Sequence, residues 1–206
     1  MKTLFRTAIV AALAISFTLP LVSTAAAQSE PATAQRSLEL QLKMRKIDLL
    51  LQIMPLALRR DQFDKILPVY AKVRAEQRKV RENEDIEILK LEAEVNTAVD
   101  KALKDGVYPP RELVRRCINV MSALGFRRRM ARVDLTEMMY KVFIDTLDAG
   151  QKKVAANAVN WKEMDPSFDA EKATETDKIK LFINFFMLDE LSFDVLVELD
   201  KKVREG

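Results

Sequence analysis

Apolar side chains recur at intervals of three and four residues along most of the chain, which is the spacing of one face of an α-helix. Residues 38–54 follow this pattern up to Pro55 and predict a first amphipathic helix. The pattern resumes over 60–105, where Pro68 indicates either a kink or the start of a new helix. We therefore expect helices throughout this half of the chain.

The long segment 69–105 divides into two parts of different polarity. Its apolar residues at 88, 91, 95, 98 and 102 alternate by three and four positions and form a coiled-coil seam, whereas residues 74–85 are almost entirely polar. Residues 106–110 then combine a glycine that ends a helix with prolines that begin the next, 111–146. Because two long helices joined by a short connection must fold back on each other, the sequence predicts an antiparallel hairpin.

The fold class predicted for the whole chain is all-α, a long antiparallel helical hairpin with flanking short helices and a C-terminal helical extension. The hairpin domain spans 38–160 and includes a short helix over 147–160. Residues 161–176 are polar and predict a linker. The extension, 177–206, holds four phenylalanines and predicts two helices joined near 189–192.

The charges of the second half of the chain are divided between two regions. Residues 111–132 hold seven arginines and one glutamate, whereas residues 161–206 hold seven basic and twelve acidic side chains. We expect the acidic, apolar C-terminal extension to fold back on the basic arm of the hairpin, because opposite charges attract and its large apolar side chains must be buried.

The first 27 residues have the features of a cleaved secretory signal peptide. Two cationic residues precede an apolar run over 8–22, and three alanines at 25–27 supply small residues for cleavage. The alternative is an uncleaved membrane anchor, but the run is shorter than the roughly 20 residues of a membrane-spanning helix. Cleavage would leave a polar lead over 28–37, which we expect to be flexible, and no later segment apolar enough to span a membrane.

The composition argues against an enzyme. The chain has no histidine, four glycines and one cysteine, so it lacks the commonest general base and metal ligand, and it has too few glycines for a phosphate-binding loop. Cys117 lies on an apolar helix face without a base to activate it, and the neighbouring Glu84 and Asp85 have the context of surface ion pairs. We predict no catalytic residue, no metal site and no cofactor.

Two Leu-x-x-x-Gln motifs begin predicted helices. The first is Leu58 to Gln62 and the second is Leu147 to Gln151. In the second motif Asp148 can cap the helix while Gln151 completes a capping box. In the first, the residue after the leucine is an arginine, which is no cap.

With these motifs behind a signal peptide, the chain resembles the Spy/CpxP-like family of periplasmic proteins, whose hallmark is two Leu-Thr-x-x-Gln motifs. The resemblance covers about residues 38–160, and both copies here lack the threonine. It implies a periplasmic, cradle-shaped antiparallel dimer that binds unfolded proteins without ATP, or a related role in envelope stress. Some relatives bind zinc through histidine, which this chain does not contain.

A run of basic residues on the return arm is the candidate client-binding patch, because guanidinium groups beside apolar side chains attract acidic, partly unfolded chains. Its residues are Arg127, Arg128, Arg129, Met130 and Arg132. The alternative for the arginines is a solvated helix face, or pairing with the acidic extension. The methionines of this arm, at 121, 130, 138 and 139, form either an adaptable binding surface or ordinary core.

These observations favour binding over catalysis. The leading hypothesis is an exported, ATP-independent periplasmic chaperone or envelope-stress adaptor that binds unfolded or envelope proteins as a homodimer. The alternative is a structural or assembly subunit of an envelope complex that docks through its C-terminal hydrophobic helices. A Skp-like chaperone is a third possibility, but it needs a β-rich body that the sequence does not predict. Nucleic acid is an unsuitable partner, because the formal net charge is only +3.

Overall fold

The computed structural model describes residues 30–161, 169 and 171–206. It divides the chain into two units, 1–41 and 42–206. Within the described residues every regular element is helical, which confirms the all-α fold class. The helices are α1 (Glu30–Ile53), α2 (Arg60–Leu89), α3 (Glu92–Asp105), α4 (Arg111–Thr146), α5 (Ala149–Ala156), α6 (Glu175–Phe182) and α7 (Ser192–Glu205), with a 3-10 turn at Met54–Leu56 and a π-helical turn at Ile183–Met187.

The N-terminal end of α1 corrects one prediction. The flexible lead expected over 28–37 is wrong from Glu30 onward, where the backbone is already helical. Alanine, glutamate, glutamine and arginine have high helix propensity, so this polar stretch can extend the amphipathic helix without burying apolar area. The predicted signal peptide, 1–27, lies outside the described residues. No helix in the described part of the chain is long and apolar enough to cross a membrane.

The long helix predicted over 69–105 is interrupted at an unpredicted place. α2 continues through Pro68, so a new helix does not begin there. The interruption comes at Lys90 and Leu91, where the Leu91 N–H donates to the Ile88 carbonyl at 3.0 Å and so closes a tighter turn than that of an α-helix. Neither glycine nor proline marks this position.

Side-chain pairs along the two arms establish that the hairpin is antiparallel, as predicted. Gln62 at the start of α2 bonds to the carbonyl of Thr146 at the end of α4. Glu84, further along α2, pairs with Arg128, and Glu94 of α3 pairs with Arg116. The partner's number falls steadily as the position on α2 and α3 rises. The connection over 106–110 therefore reverses the chain direction, with Gly106 in the left-handed conformation that ends α3.

The C-terminal extension folds back and completes the core. Phe182, Ile183 and Leu196 are all fully buried. The ring of Phe182 lies 6.4 Å from that of Phe143 of α4 and 5.5 Å from that of Phe186, measured between centroids. These side chains therefore fill the core of the chain itself.

The charge argument for this folding was wrong in its detail. The acidic residues of the extension pair with α1 and α2, because those helices lie beside them. These ion pairs are Arg45 with Asp189, Lys46 with Glu198 and Arg81 with Glu190, while the basic Arg204 of the extension pairs with Asp64 of α2. From the arginine-rich stretch of α4, Arg132 contacts the extension through Asn184, a neutral side chain.

Candidate functional site

Both Leu-x-x-x-Gln motifs stabilise helix starts, the second of them through the capping box that its sequence predicts. The Gln151 side chain accepts from the Asp148 N–H at 3.0 Å, and the Gln151 N–H donates to Asp148 Oδ1 at 2.9 Å, which completes a capping box for α5. The Gln62 side chain accepts from the Arg59 N–H at 3.0 Å. An arginine side chain has no acceptor, so α2 has only the glutamine half of the box.

The structure brings the two motifs into direct contact, which neither motif shows by itself. Gln62 Nε2 donates to Gln151 Oε1 at 2.7 Å, and Gln151 Nε2 donates to Gln62 Oε1 at 2.9 Å. Each amide also donates to a backbone carbonyl just before the other motif: Gln62 to that of Thr146 and Gln151 to that of Leu56. We call this pair of side chains the glutamine junction. It joins the start of α2 to the start of α5.

The glutamine junction is a structural feature rather than a binding site. Gln62 is fully buried and Gln151 is 7% exposed, while Leu58 and Leu147 are buried beside them. On the solvent side of the two glutamines, Arg59 Nη1 pairs with Asp148 Oδ2 at 3.2 Å. The pKa of the Asp148 carboxyl is lowered, first by the hydrogen bond from the Gln151 backbone and further by Arg59. The leucines and glutamines of both motifs are therefore engaged within the protein.

In the part of the chain that the structure describes, most large apolar side chains that remain exposed lie on the distal part of the hairpin, residues 86–133, which we call the arm, and a second group of six lies on α1. Between residues 86 and 133, three apolar residues are buried and thirteen large ones are exposed. The exposed residues are Ile86, Ile88, Leu89, Val99, Leu103, Val107, Tyr108, Val114, Ile118, Met121, Phe126, Met130 and Val133. An unburied apolar surface of this extent marks an interaction site in most proteins.

On α4 these exposed side chains form two stripes. Val114, Ile118 and Met121 follow each other at intervals of four and three residues and share one helix face, which we call the first stripe. At about 100° of turn per residue, the same face continues to Arg128 and Arg132. A second stripe, Phe126, Met130 and Val133, has the same spacing on a different face. α4 therefore offers two apolar faces besides the one packed on α2.

The structure separates the predicted arginine patch into two sides. Arg128, Arg129 and Arg132 line one groove, whereas Arg127 lines another recess beside Glu84 and Glu87. Met130, 48% exposed, lines neither of these spaces and belongs to the second stripe. The five residues are thus neighbours in sequence and not a single patch, because successive positions of a helix point in different directions.

Sequence reasoning missed two members of the groove. Arg45 comes from α1 and Arg81 from α2, and both line it together with the α4 arginines. Neither position has a local signal, because each is a single arginine in a mixed stretch of charged residues. Only the return of the extension onto α1 and α2 brings them to the same place.

The remaining candidate chemistry is limited. Within the part of the chain that the structure describes, no three potential ligand side chains lie close enough together to hold a metal ion. Cys117 is half-buried. Of the four methionines of α4, Met139 is fully buried as core, while Met121, Met130 and Met138 are exposed. For these three the adaptable surface describes their position better than core filling.

Comparison with known proteins gives no functional assignment. The chain matches no protein-family model, and neither the curated proteins nor the solved structures searched contain a match to it.

Proposed function

We propose that this protein is an exported, ATP-independent chaperone or envelope-stress adaptor that binds unfolded proteins on the arm of its hairpin. The observation that carries the proposal is that the arm leaves thirteen large apolar side chains exposed and buries only three apolar residues, while the core is closed by the protein's own C-terminal extension. Periplasmic location rests on the signal-peptide features of residues 1–27. The resemblance to the Spy/CpxP-like family adds the expectation of a dimeric cradle.

The first stripe of α4 is suited to an unfolded client because of what adjoins it. Unfolded chains expose apolar side chains, which Ile118 and Met121 can cover, and methionine adapts to ligands of different shape. The arginines at 128, 129 and 132 continue the same face and attract acidic segments. Apolar and basic contacts thus follow each other over about five turns of α4, and an extended client segment can meet both.

We expect that replacing both Ile118 and Met121 with serine reduces the suppression of client aggregation several-fold, because the stripe loses its two largest apolar contacts. The assay is light scattering of a chemically unfolded client diluted into buffer without nucleotide. Both side chains are exposed, at 60% and 56%, so the melting temperature should change little.

A matched control exists on α1. Ile47 and Met44 are the same residue types with the same spacing, are 57% and 59% exposed, and lie outside the arm. Their replacement with serine should leave suppression unchanged. An equal effect of the two pairs would show that any exposed apolar surface suffices, and a wild-type protein that does not suppress aggregation would refute the proposed function.

We propose that the second stripe is where a second copy of the chain binds. The predicted seam, which runs from the end of α2 into α3, is covered only in part, with Ala98 buried and Ile88 41% exposed, so one chain does not bury the apolar side chains of its own arm. Phe126, Met130 and Val133 have the spacing of a helix–helix contact. A dimer joined there would leave the first stripe open.

We expect the protein that begins at Gln28 to have the mass of a dimer at micromolar concentration, and Phe126→Asp with Val133→Asp to give a monomer, because two carboxylates would have to be buried at the contact. Sedimentation equilibrium measures both. Since these side chains are 58% and 55% exposed, the variant should remain as helical as the wild type. A monomeric wild-type protein, or a dimer unaffected by the two aspartates, would remove this assignment.

A further inference from the structure

A groove of about 710 Å³ opens where the C-terminal extension meets the hairpin. One side is formed by Val80 and Arg81 of α2, another by the arginines of α4, and the third by residues 185–190, with Arg45 at the edge. All these residues belong to the unit 42–206. The groove adjoins the first stripe, because Gly125, which lines it, follows Met121 by one turn of α4.

One wall of the groove is a segment of the chain itself, and its contacts show which chemistry the groove accommodates. Residues 188–191 read Leu-Asp-Glu-Leu. Leu188 is 5% exposed, and its carbonyl accepts from Gln77 at 3.0 Å. The Asp189 carboxylate accepts from Arg45 Nε and Nη2 at 3.0 and 2.9 Å, and Glu190 pairs with Arg81 at 2.7 Å. Apolar contact and arginine–carboxylate pairs thus hold an acidic, apolar segment along one side.

The arginines of the opposite side are less fully neutralised. Arg128 donates from Nε to both oxygens of Glu84 at 2.8 Å, so its charge is balanced. Arg132 contacts Asn184, through the side-chain oxygen and the main-chain carbonyl, and neither carries a charge. Arg129 makes no hydrogen bond or ion pair with any residue that the structure describes. Two guanidinium groups, three positions apart on α4, therefore lack a carboxylate partner.

An apolar floor lies between the two sides. Leu135 and Leu188 are nearly buried, while Phe185 and Val80 are half-buried and line the groove. A free inorganic anion would satisfy the arginines and leave this floor in water. A segment with both carboxylates and an aliphatic side chain would cover the floor and pair with the arginines, since guanidinium groups bind carboxylates with two parallel hydrogen bonds.

We infer that the groove binds an acidic, aliphatic segment of a partly unfolded protein, of the same chemistry as residues 188–191, with its carboxylates on Arg129 and Arg132 and an aliphatic side chain on the floor. This inference deepens the proposed function, on which its biological meaning rests. It names the class of client segment that binds to the arginines next to the first stripe. Unlike the first stripe, the groove discriminates by charge.

The test is binding of a fluorescently labelled peptide made of two Leu-Asp-Glu-Leu repeats, measured by fluorescence anisotropy at low and high salt. Arg129→Ser should weaken binding about tenfold at low salt, because one charge-assisted contact is lost. Arg127→Ser is the matched control: it is adjacent, removes the same charge, and lies outside the groove. It should change the affinity less than twofold.

A peptide with Asn and Gln in place of Asp and Glu should bind the wild-type protein more weakly than the acidic peptide does. Its affinity should be the same for the wild type and for Arg129→Ser, because it has no carboxylate for Arg129 to pair with. Arg132→Lys, which keeps the charge but loses the forked donor, should have an intermediate affinity. The inference would be overturned if Arg127→Ser and Arg129→Ser lost the same amount of affinity for the acidic peptide. It would also be overturned if the wild-type protein bound the neutral and the acidic peptide equally well. If the protein suppresses aggregation but does not bind the peptide, the inference about the groove is refuted and the proposed function stands. If it binds the peptide but does not suppress aggregation, the proposed chaperone function is refuted and the inference about the groove stands.

Discussion

Deletion of residues 177–206 is expected to abolish the cooperative unfolding of the protein. The extension supplies eight of the buried apolar residues of the core, and it covers the ends of α2 and α4 that the hairpin alone would leave in water. Burying a large aliphatic or aromatic side chain contributes about 1.5–3 kcal/mol, so the eight together contribute an amount at least comparable to the 5–15 kcal/mol by which most domains are stable. Thermal unfolding followed by circular dichroism, with binding of a hydrophobic dye, measures the effect.

A single substitution tests the same contact with less disturbance. Leu196 is fully buried, and Leu196→Ala should lower the free energy of unfolding by about 2–5 kcal/mol, the usual range for a core leucine. Leu103→Ala is the matched control, because Leu103 is 81% exposed on α3, where alanine is a good helix former. Its effect should stay within about 0.5 kcal/mol. A truncated chain that unfolds cooperatively at the wild-type temperature would show that the extension is not part of the folded core.

Replacement of Gln62 with alanine is the second change with a large expected effect, about 2–4 kcal/mol of unfolding free energy. The substitution removes the partner of three buried or half-buried groups at once: the Gln151 amide, the Arg59 N–H and the Thr146 carbonyl. A buried polar group left without a hydrogen bond costs about 1–3 kcal/mol. Chemical denaturation monitored by tryptophan fluorescence or circular dichroism gives the value.

The mutual contact of the two glutamines is measured by the double variant. Because Gln151→Ala disrupts the same pair, the effects of Gln62→Ala and Gln151→Ala should not add, and the double variant should be more stable than their sum predicts by about 1 kcal/mol or more. Gln35→Ala is a control, since Gln35 is exposed and has one side-chain contact, to Glu39. Additive effects of the two junction variants would contradict the direct contact.

The sequence determined the features that depend on neighbouring residues. The bounds of α4, 111–146, agree with the prediction, because Gly106 and the prolines before Arg111 end one helix and begin the next through their own backbone restrictions. The capping box of Asp148 and Gln151 was equally readable, since both partners lie within one helical turn. The apolar spacing of the extension also indicated that it must be buried.

Tertiary structure decided everything that joins distant parts of the chain. Nothing near Gln62 indicates that its amide meets Gln151, 89 positions later, and nothing near Lys90 marks the interruption between α2 and α3. The arginine run was visible as a composition feature, but its division between two recesses depends on how α4 is rotated against α2. Arg45 and Arg81 join Arg129 at one groove because the buried apolar side chains of the extension draw residues 188–191 back onto the hairpin. Local sequence fixes the helices through backbone preference and spacing, whereas their mutual position follows from burying apolar area shared by all of them.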